Sequence, residues 1–256
     1  MADWNSAQYL KFKAQRTQPA VDLAARIDIN PSEFIDIGCG PGNSTRVVKN
    51  RFPSARAVGA DYSENMLEAA RKDNPDCEFI RLDAGGDLSE FSGKFDLVFS
   101  NACIQWIPNH RELLPKMFSM LKNGGELAVQ IPVNFDEPIH QIIGRVSATE
   151  KWREKFTNPS IFHTLSESEY FDILSDLTSD FEMWKTVYCH RMPSHDSIIE
   201  WYKSTGLKPY LDVLSDAEKE EFTNDVQREV EKDYPTQKNG EIIFRFPRLF
   251  FIAKRS

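Results

Sequence analysis

Phe34-Ile-Asp-Ile-Gly-Cys-Gly-Pro-Gly-Asn-Ser44 is the stretch that decides the fold of this chain. A short apolar run leads into three glycines, at positions 38, 40 and 42, and then into residues that favour a helix start. The next apolar run closes on an acidic residue, Asp61. A strand, a glycine-rich turn and a helix, followed by an acidic strand end, is how a doubly wound sheet holds a nucleoside cofactor. We predict such a site, although three clustered glycines also occur in ordinary turns.

Strand and helix signals alternate over the first half of the chain. Short apolar runs predict five buried parallel strands, over 34–37, 57–61, 77–82, 95–101 and 126–132. Helices are predicted over 43–51, capped by Asn43 or Ser44, over 64–72, capped by Ser63, and over 110–122, ended by Asn123-Gly124-Gly125. Units of this length imply right-handed crossovers and a mostly parallel sheet.

The second half predicts a different organisation. Ser166 and Glu169 have the spacing of a capping box and begin a helix over 166–177, which is followed by a strand over 181–192. A helical insertion is predicted at about 194–234. Residues 241–253 form a long apolar run, predicted as an antiparallel last strand in which Pro247 forces a bulge or an edge position.

Composition restricts the classes of function. The 256 residues, 41% of them hydrophobic, suffice for one large domain with a proper core. A net charge of −8 disfavours nucleic acid as a partner, although a local basic pocket for a small anion is compatible with it. Four cysteines without metal-ligand spacing predict free thiols in a reducing compartment. Neither a signal peptide nor a bilayer-length apolar run is visible, so we expect a cytoplasmic protein with no membrane partner.

Acidic residues end three consecutive strand-like segments. These residues are Asp36, Asp61 and Asp83, and the fourth segment ends at Asn101 and Ala102. Any one of the aspartates could be an ordinary helix cap or turn residue. Because the carboxyl ends of neighbouring parallel strands lie at one edge of a sheet, three in succession favour a ligand site there.

Further motifs are distributed over nearly the whole chain: Asp3-Trp4-Asn5 with Tyr9-Leu10 and Phe12, Arg16 with Pro19-Ala20, Asn101-Ala102 with Gln105-Trp106, Leu127-Ala-Val-Gln130, Met192-Pro-Ser-His195, Thr205-Gly-Leu207 and Phe246-Pro-Arg-Leu-Phe250. With Asp36 and the glycine triplet, they resemble the class I S-adenosylmethionine-dependent methyltransferases and, more narrowly, the bacterial trans-aconitate 2-methyltransferases. Residues 83–94 and 144–165 match that family less well. The resemblance implies a Rossmann-like, seven-stranded α/β sheet.

S-adenosylmethionine is the cofactor that the resemblance implies. Asp36 would accept hydrogen bonds from its ammonium group, Asp61 from both ribose hydroxyls and Asp83 from the adenine amino group. The small residues of the loop let the backbone approach the cofactor closely, and the helix that follows favours the methionine carboxylate at its N-terminus. The predicted cofactor-binding residues are Asp36, Gly38, Cys39, Gly40, Gly42, Asn43, Asp61, Tyr62, Met66, Asp83, Ala84, Asn101, Ala102 and Trp106.

Trans-aconitate, a small polycarboxylate, is the implied methyl acceptor, and one of its carboxylates would become a methyl ester. A carboxylate is already ionised at neutral pH, so no catalytic side chain is predicted. No metal site is predicted either, because the sequence has no metal-ligand constellation. Its other carboxylates need fixed donors, and Arg binds carboxylates bidentately. The predicted substrate-binding residues are Trp4, Tyr9, Arg16, Gln105, Trp106, Tyr202, Arg245 and Arg248. Arg16 and Arg248 could equally be surface arginines, and for Arg245 the surface interpretation is favoured.

The predicted domain organisation is a single methyltransferase domain over 1–256. Within it we expect an N-terminal lid segment over 1–30, a cofactor-binding core over 31–133 and a substrate-side region over 134–256. Other interpretations stay open: a methyltransferase for another small acid or for a carrier-bound malonyl thioester, and a non-enzymatic domain that senses S-adenosylmethionine. A nicotinamide-dependent oxidoreductase is disfavoured, because its fingerprint would place a glycine at position 43 and the chain has Asn43 there.

Overall fold

The computed structural model describes residues 13–156, 162–203 and 205–256. Their helices and strands are, in chain order, α1 (Lys13–Ala25), β1 (Glu33–Ile37), α2 (Asn43–Arg51), β2 (Arg56–Asp61), α3 (Glu64–Asp73), β3 (Glu78–Arg81), β4 (Phe95–Asn101), α4 (His110–Ser119), β5 (Leu121–Pro132), α5 (Pro138–Ser147), α6 (Glu167–Leu177), β6 (Phe181–Met192), α7 (His195–Lys203), α8 (Lys208–Leu211), α9 (Asp216–Asp233) and β7 (Ile242–Lys254). Two short 3₁₀ turns, Ser89–Phe91 and Ile104–Trp106, flank β4.

The strands form one seven-stranded sheet in the order β3-β2-β1-β4-β5-β7-β6. Strands β1 to β5 are parallel, and Ile35 in β1 lies opposite both Val58 in β2 and Val98 in β4. β7 is antiparallel to β5, because the N–H of Gly124 donates to Arg255 O at one end and the N–H of Val133 to Pro247 O at the other. This arrangement confirms the predicted Rossmann-like α/β fold with an antiparallel last strand.

Burial explains why the central strands could be predicted. Phe34, Ile35 and Ile37 of β1 are completely buried, as are Leu97 and the two residues that follow it in β4. Parallel strands covered on both faces have continuous apolar sequences of this kind. Their carboxyl ends therefore bring Asp36, Asp61 and Asn101 to one edge of the sheet.

Residues 120–125 differ from the prediction. The helix expected to run to residue 122 ends at Ser119, and the Asn123-Gly124-Gly125 segment lies inside β5, which begins at Leu121. Gly124 donates to Arg255 O over 2.7 Å, and the N–H of Arg255 donates to Gly125 O over 2.9 Å. Pairing with Arg255, directly after β7, thus overrides a local sequence that favours a turn.

Pro247 does not occupy an edge strand, because β7 lies between β5 and β6. The edge alternative is therefore wrong. The Pro247 carbonyl accepts a hydrogen bond from the N–H of Val133 over 3.0 Å, so the proline contributes one bond to the sheet through its oxygen.

The predicted helical insertion consists of three helices, α7, α8 and α9. Capping boxes at Ser166 and Ser215 start α6 and α9, and the first of these was predicted. Helix α5 was missed, although Ile139, Ile142, Ile143 and Val146 are buried at helical spacing and Pro138 stands in its first turn.

The described part of the chain divides into two compact units. One unit has residues 13–132, 162–186 and 249–256, and the other has residues 133–156, 187–203 and 205–248. The predicted lid falls partly outside the described residues, and its described part contains α1. Of the helices that the structure describes, none has the length and apolar character needed to cross a bilayer.

Candidate cofactor and acceptor site

The glycine-rich loop after β1 requires glycine at particular positions. Gly38, Gly40 and Gly42 have φ angles of 74°, 53° and 84°, in the region that side chains disfavour. A Cβ atom on Gly38 would also lie 2.1 Å from Sγ of Cys103. The N–H groups of Gly38 and Cys39 both donate to Ala60 O, over 2.7 and 3.0 Å, so the loop is fixed against β2.

Asp36, in β1, is fully buried. Its Oδ2 accepts hydrogen bonds from Ser44 Oγ over 2.6 Å and from Thr45 Oγ1 over 2.7 Å. Its Oδ1 accepts from no group in the described part of the chain. Burial raises the pKa of Asp36 to about 6, against the lowering effect of the two hydroxyls. The site therefore contains a buried carboxylate with one oxygen available to a donor.

The sequence predicts Asn43 or Ser44 as the cap of α2, and neither residue caps it. The capping position is Gly42, in the left-handed region and without a side-chain cap, and Asn43 is the first residue of the helix. The Ser44 hydroxyl bonds Asp36 instead, together with Thr45. This role of Ser44 and Thr45 was not predicted, and the signal for it is a pair of hydroxyl residues directly after the glycine loop.

Asp61 ends β2, beside the same loop. Its Oδ2 accepts from the N–H of Gly40 and its Oδ1 from the N–H of Ser63, each over 2.9 Å. Burial raises the pKa of Asp61, while the backbone N–H donors lower it. Each oxygen keeps a further lone pair, so this carboxylate can accept additional hydroxyl donors.

Asp83 is more exposed than Asp36 and Asp61. It follows β3, which ends at Arg81, and its exposed carboxylate accepts from the N–H of Gly85 over 3.0 Å. Asp83 therefore acts as a turn residue, which is one of the alternatives that the sequence allows, and this hydrogen bond uses one of its carboxylate oxygens. The neighbouring Ala84 is buried. Of the two predicted residues after Asp61, Met66 is buried and Tyr62 is 44% exposed.

The chain that follows β4 is held by hydrogen bonds to β5 and to Gln105. Ala102 has a positive φ of 54°, and its N–H donates to Gln130 O over 2.9 Å. Gln105 Nε2 donates to Ala102 O over 2.7 Å, so this predicted substrate residue fixes the strained backbone. Asn101 Oδ1 and Gln105 Oε1 are buried and accept from no group in the described part of the chain. Cys103, whose thiol packs on Gly38, was not predicted.

Trp106 belongs to the same 3₁₀ turn as Gln105. Its ring centroid lies 4.7 Å from that of Phe162. The structure thus brings the glycine loop, Asp36, Asp61 and the turn after β4 together, as the strand ends predicted.

The arginines predicted to bind substrate differ in exposure. Arg16, on α1 in the first unit, is 7% exposed, and Arg248, on β7 in the second, is 3% exposed. The surface alternative for these two residues is therefore wrong. The guanidinium carbon of Arg248 lies 4.6 Å from the ring centroid of Phe246. Arg245 is exposed, which is the position favoured for it from the sequence.

Tyr202 is buried in the second unit, in a hydrogen-bonded group with Asn134 and His140. Its hydroxyl accepts from Asn134 Nδ2 over 2.7 Å and lies 3.1 Å from His140 Nε2. Burial lowers the pKa of His140 to about 4, so the ring is neutral and can accept a hydrogen bond from the Tyr202 hydroxyl. Tyr202 is therefore a fixed polar group. Trp4 and Tyr9 lie outside the described residues.

Within the described ranges, no group of three or more His, Cys, Asp or Glu side chains is arranged to hold a metal ion. The four cysteines are free thiols.

Comparisons with known proteins agree with this geometry. A family model described as "Methyltransferase domain" matches residues 34–125, which contain most of β1, the glycine loop and β2 to β4. Two solved structures share the fold: the YcgJ protein of Bacillus subtilis (14% identity, 93% of this chain, 100% of that chain, TM-score 0.58) and phosphoethanolamine N-methyltransferase 2 of Haemonchus contortus (17% identity, 93% of this chain, 53% of that chain, TM-score 0.55). At these identities they show the fold alone.

Curated relatives match the whole chain. Trans-aconitate 2-methyltransferases of Escherichia coli O7:K1 and of Shigella flexneri are each 41% identical, and that of Escherichia fergusonii is 40% identical. Each alignment covers 100% of this chain and 100% of the relative. This chain therefore belongs to the trans-aconitate 2-methyltransferase family.

Proposed function

We propose that this protein transfers a methyl group from S-adenosylmethionine to one carboxylate of trans-aconitate, releasing the monomethyl ester and S-adenosylhomocysteine. The observation that carries the proposal is the likeness to trans-aconitate 2-methyltransferases over the full length of both chains. It extends through both units and not only through the widely shared glycine loop.

The residues at the strand ends fit the cofactor. Asp36 offers a buried carboxylate oxygen that suits an ammonium group, directly or through water. Asp61 offers acceptors for ribose hydroxyls, and the left-handed glycines leave space for close approach of the ligand to the backbone. When bound, S-adenosylmethionine supplies a methyl group on a positively charged sulfur. Asp83 is the weakest of the predicted ligands, because it is exposed and already accepts from Gly85.

The chain's contribution to the reaction is orientation rather than acid–base chemistry. An acceptor carboxylate needs no proton removed, because it is ionised at neutral pH. We propose that Gln105 and Trp106 line the acceptor position, since the described turn holds both beside Ala102. Holding reactants in line and excluding water can supply most of such a rate enhancement.

Binding of the polycarboxylate would require buried positive charge. Arg248 is the strongest candidate, because a guanidinium that is 3% exposed has lost most of its hydration and interacts strongly with an anion. Arg16, also buried, is the second candidate. Arg245 is a weaker candidate because its charge is screened by solvent.

Release of S-adenosylhomocysteine tests the proposal. The assay compares trans-aconitate with cis-aconitate, citrate, isocitrate and buffer alone, in the wild type, in Arg248→Ala and in the control Arg191→Ala. Arg191 is an exposed arginine that pairs with Glu241 through two 2.8 Å bonds. Saturable turnover with trans-aconitate that is lost in Arg248→Ala, with S-adenosylhomocysteine binding intact, supports the acceptor and its ligand. Cofactor binding without turnover of any of these acids excludes trans-aconitate as the acceptor.

A further inference from the structure

His110 is a buried histidine that the proposed reaction does not use. It begins α4 and is 1% exposed. Its Nε2 lies 2.7 Å from Ile104 O, and its Nδ1 lies 2.6 Å from the hydroxyl oxygen of Tyr170. Burial lowers the pKa of His110, so the ring is neutral at pH 7. Because a carbonyl oxygen can only accept, Nε2 carries the single proton and Nδ1 accepts from the tyrosine hydroxyl. Both ring nitrogens are therefore committed to fixed partners.

The two partners of His110 belong to different parts of the first unit. Ile104 starts the 3₁₀ turn that continues with Gln105 and Trp106, whereas Tyr170 lies on α6. The Tyr170 hydroxyl also accepts from the N–H of Leu165 over 3.3 Å. The histidine thus joins the turn after β4 to the segment 162–165 through a chain of three hydrogen bonds.

The segment 162–165 makes direct contacts with the same turn. The N–H of His163 donates to Gln105 O over 2.9 Å, and the ring of Phe162 packs 4.7 Å from that of Trp106. Turn and segment are therefore connected both directly and through His110 and Tyr170. A buried network of this kind, with each bond satisfied, holds its members in a single arrangement.

We propose that His110 and Tyr170 are positioning residues, which hold the Gln105–Trp106 turn and the segment 162–165 together as one wall of the acceptor position. The proposal rests on the proposed function in one respect, the placement of Gln105 and Trp106 beside the acceptor. Where catalysis comes from alignment, a displacement of about 1 Å at such a wall can cost as much as about 100-fold in rate. A purely structural role would instead lower stability and leave acceptor kinetics unchanged in the folded enzyme.

Removal of single hydrogen-bonding groups tests the network. Tyr170→Phe deletes the hydroxyl, His110→Gln keeps a donor for Ile104 O, and the double variant measures coupling between them. Tyr210→Phe is the matched control, because it removes the hydroxyl of a buried tyrosine in the second unit, away from this network. The readouts are kcat and KM for trans-aconitate, the Kd for S-adenosylhomocysteine, and amide exchange of peptides covering 162–165.

We expect Tyr170→Phe to lower kcat/KM for the acceptor about tenfold, while the Kd for S-adenosylhomocysteine stays within about twofold. Exchange at 162–165 should accelerate in Tyr170→Phe and His110→Gln but not in Tyr210→Phe. The double variant should lose little more than the larger single loss, because both residues act through one network. Unchanged acceptor kinetics in the folded, active variants would overturn the proposal, whatever the exchange result, as would equal losses in the Tyr210→Phe control.

Failure of the proposed function gives a different result. If the wild type does not turn over trans-aconitate, the acceptor assignment fails while the exchange measurement still decides whether His110 and Tyr170 hold the segment. Faster exchange in the variants then supports the positioning role, and unchanged exchange contradicts it.

Discussion

The backbone N–H of Gly40 donates to Oδ2 of Asp61 over 2.9 Å, so the glycine-rich loop is tied to the end of β2. The other oxygen of this carboxylate accepts from the N–H of Ser63, at the start of α3. One side chain therefore fixes two backbone segments while it keeps lone pairs for a ligand.

Asp61→Ala should weaken cofactor binding. A hydrogen bond to a charged group is worth about 1.5–3 kcal/mol, so loss of Asp61 should raise the Kd for S-adenosylhomocysteine by at least about tenfold. Isothermal titration calorimetry measures this change. Asp87→Ala is the control, because Asp87 also accepts from two groups of a turn, both on Ser89. Equal affinities in the two variants would show that Asp61 is not a ligand.

Asp36 should make stability depend on pH. Burial raises its pKa from 3.8 to about 6, so the folded protein binds this proton more tightly than the unfolded chain does. The stabilising contribution is fully present below about pH 4 and is lost as the pH rises through about 6. This difference in pKa between the folded and unfolded states corresponds to roughly 3 kcal/mol of stability.

The variant Asp36→Asn isolates this effect, because its amide does not titrate. Its free energy of unfolding, relative to that of the wild type, should increase between about pH 4 and pH 8, while cofactor affinity falls. Denaturant titrations at several pH values give the difference. A difference that stays constant over this range would mean that Asp36 titrates normally in the folded protein.

Gly38→Ala should destabilise the protein for two reasons that can be separated. The backbone is left-handed, with a φ of 74°, and the new methyl group would meet Sγ of Cys103. Gly93→Ala is the matched control, because Gly93 has a φ of 66° and no atom within 4 Å of a Cβ placed there. We expect a loss of about 1–2 kcal/mol for Gly93→Ala from strain alone, and a clearly larger loss for Gly38→Ala. Similar losses in denaturant unfolding would mean that Cys103 moves aside at little cost.

Asp96→Ala should be among the more destabilising surface substitutions. Oδ2 of Asp96 accepts from the N–H groups of Ser32 and Glu33, each over 2.9 Å, and from Ser32 Oγ over 2.6 Å. Loss of these bonds to a charged acceptor should lower the free energy of unfolding by about 2–4 kcal/mol. Asp76→Ala, which breaks an exposed pair with Arg46, should have little effect. Equal unfolding curves for the two variants would contradict this expectation.

The pKa of Asp96 determines how its contribution to stability depends on pH. Partial burial acts to raise the pKa of Asp96, but hydrogen bonds from Ser32 and Lys122 lower it overall. The stability that Asp96 contributes should therefore be present above its unfolded pKa, about 3.9, and be lost as the pH falls below it. The difference in free energy of unfolding between the wild type and Asp96→Ala should accordingly shrink in acid.

Strands β4 and β6 could be predicted to the residue, over 95–101 and 181–192, for local reasons. Each is a run of residues that favour a strand, bounded by polar or turn residues. The start of β5 could not be predicted in this way. Its Asn123-Gly124-Gly125 segment favours a turn, and the hydrogen bonds that make it a strand come from Arg255, which no local pattern identifies as a partner.

The candidate site was predictable as far as it depends on short motifs. The glycine loop and the aspartates that end β1 and β2 lie close together because parallel strands end at one edge. Ser44 was misinterpreted because a serine at a helix start usually caps it, whereas a buried carboxylate in β1 competes for the same hydroxyl. Burial of Arg16 and Arg248 depends on tertiary packing, so the sequence alone left it undecided.

The strand order has a consequence for synthesis. β5 and β6 leave the ribosome before β7, which lies between them in the finished sheet. During translation β6 consequently has no neighbour of its own to pair with, and only the parallel half from β3 to β5 can form early. Long-range pairings of this kind slow folding and leave strand edges open to other chains. A nascent chain halted between α9 and β7 should therefore depend on chaperones far more than one that has completed β7.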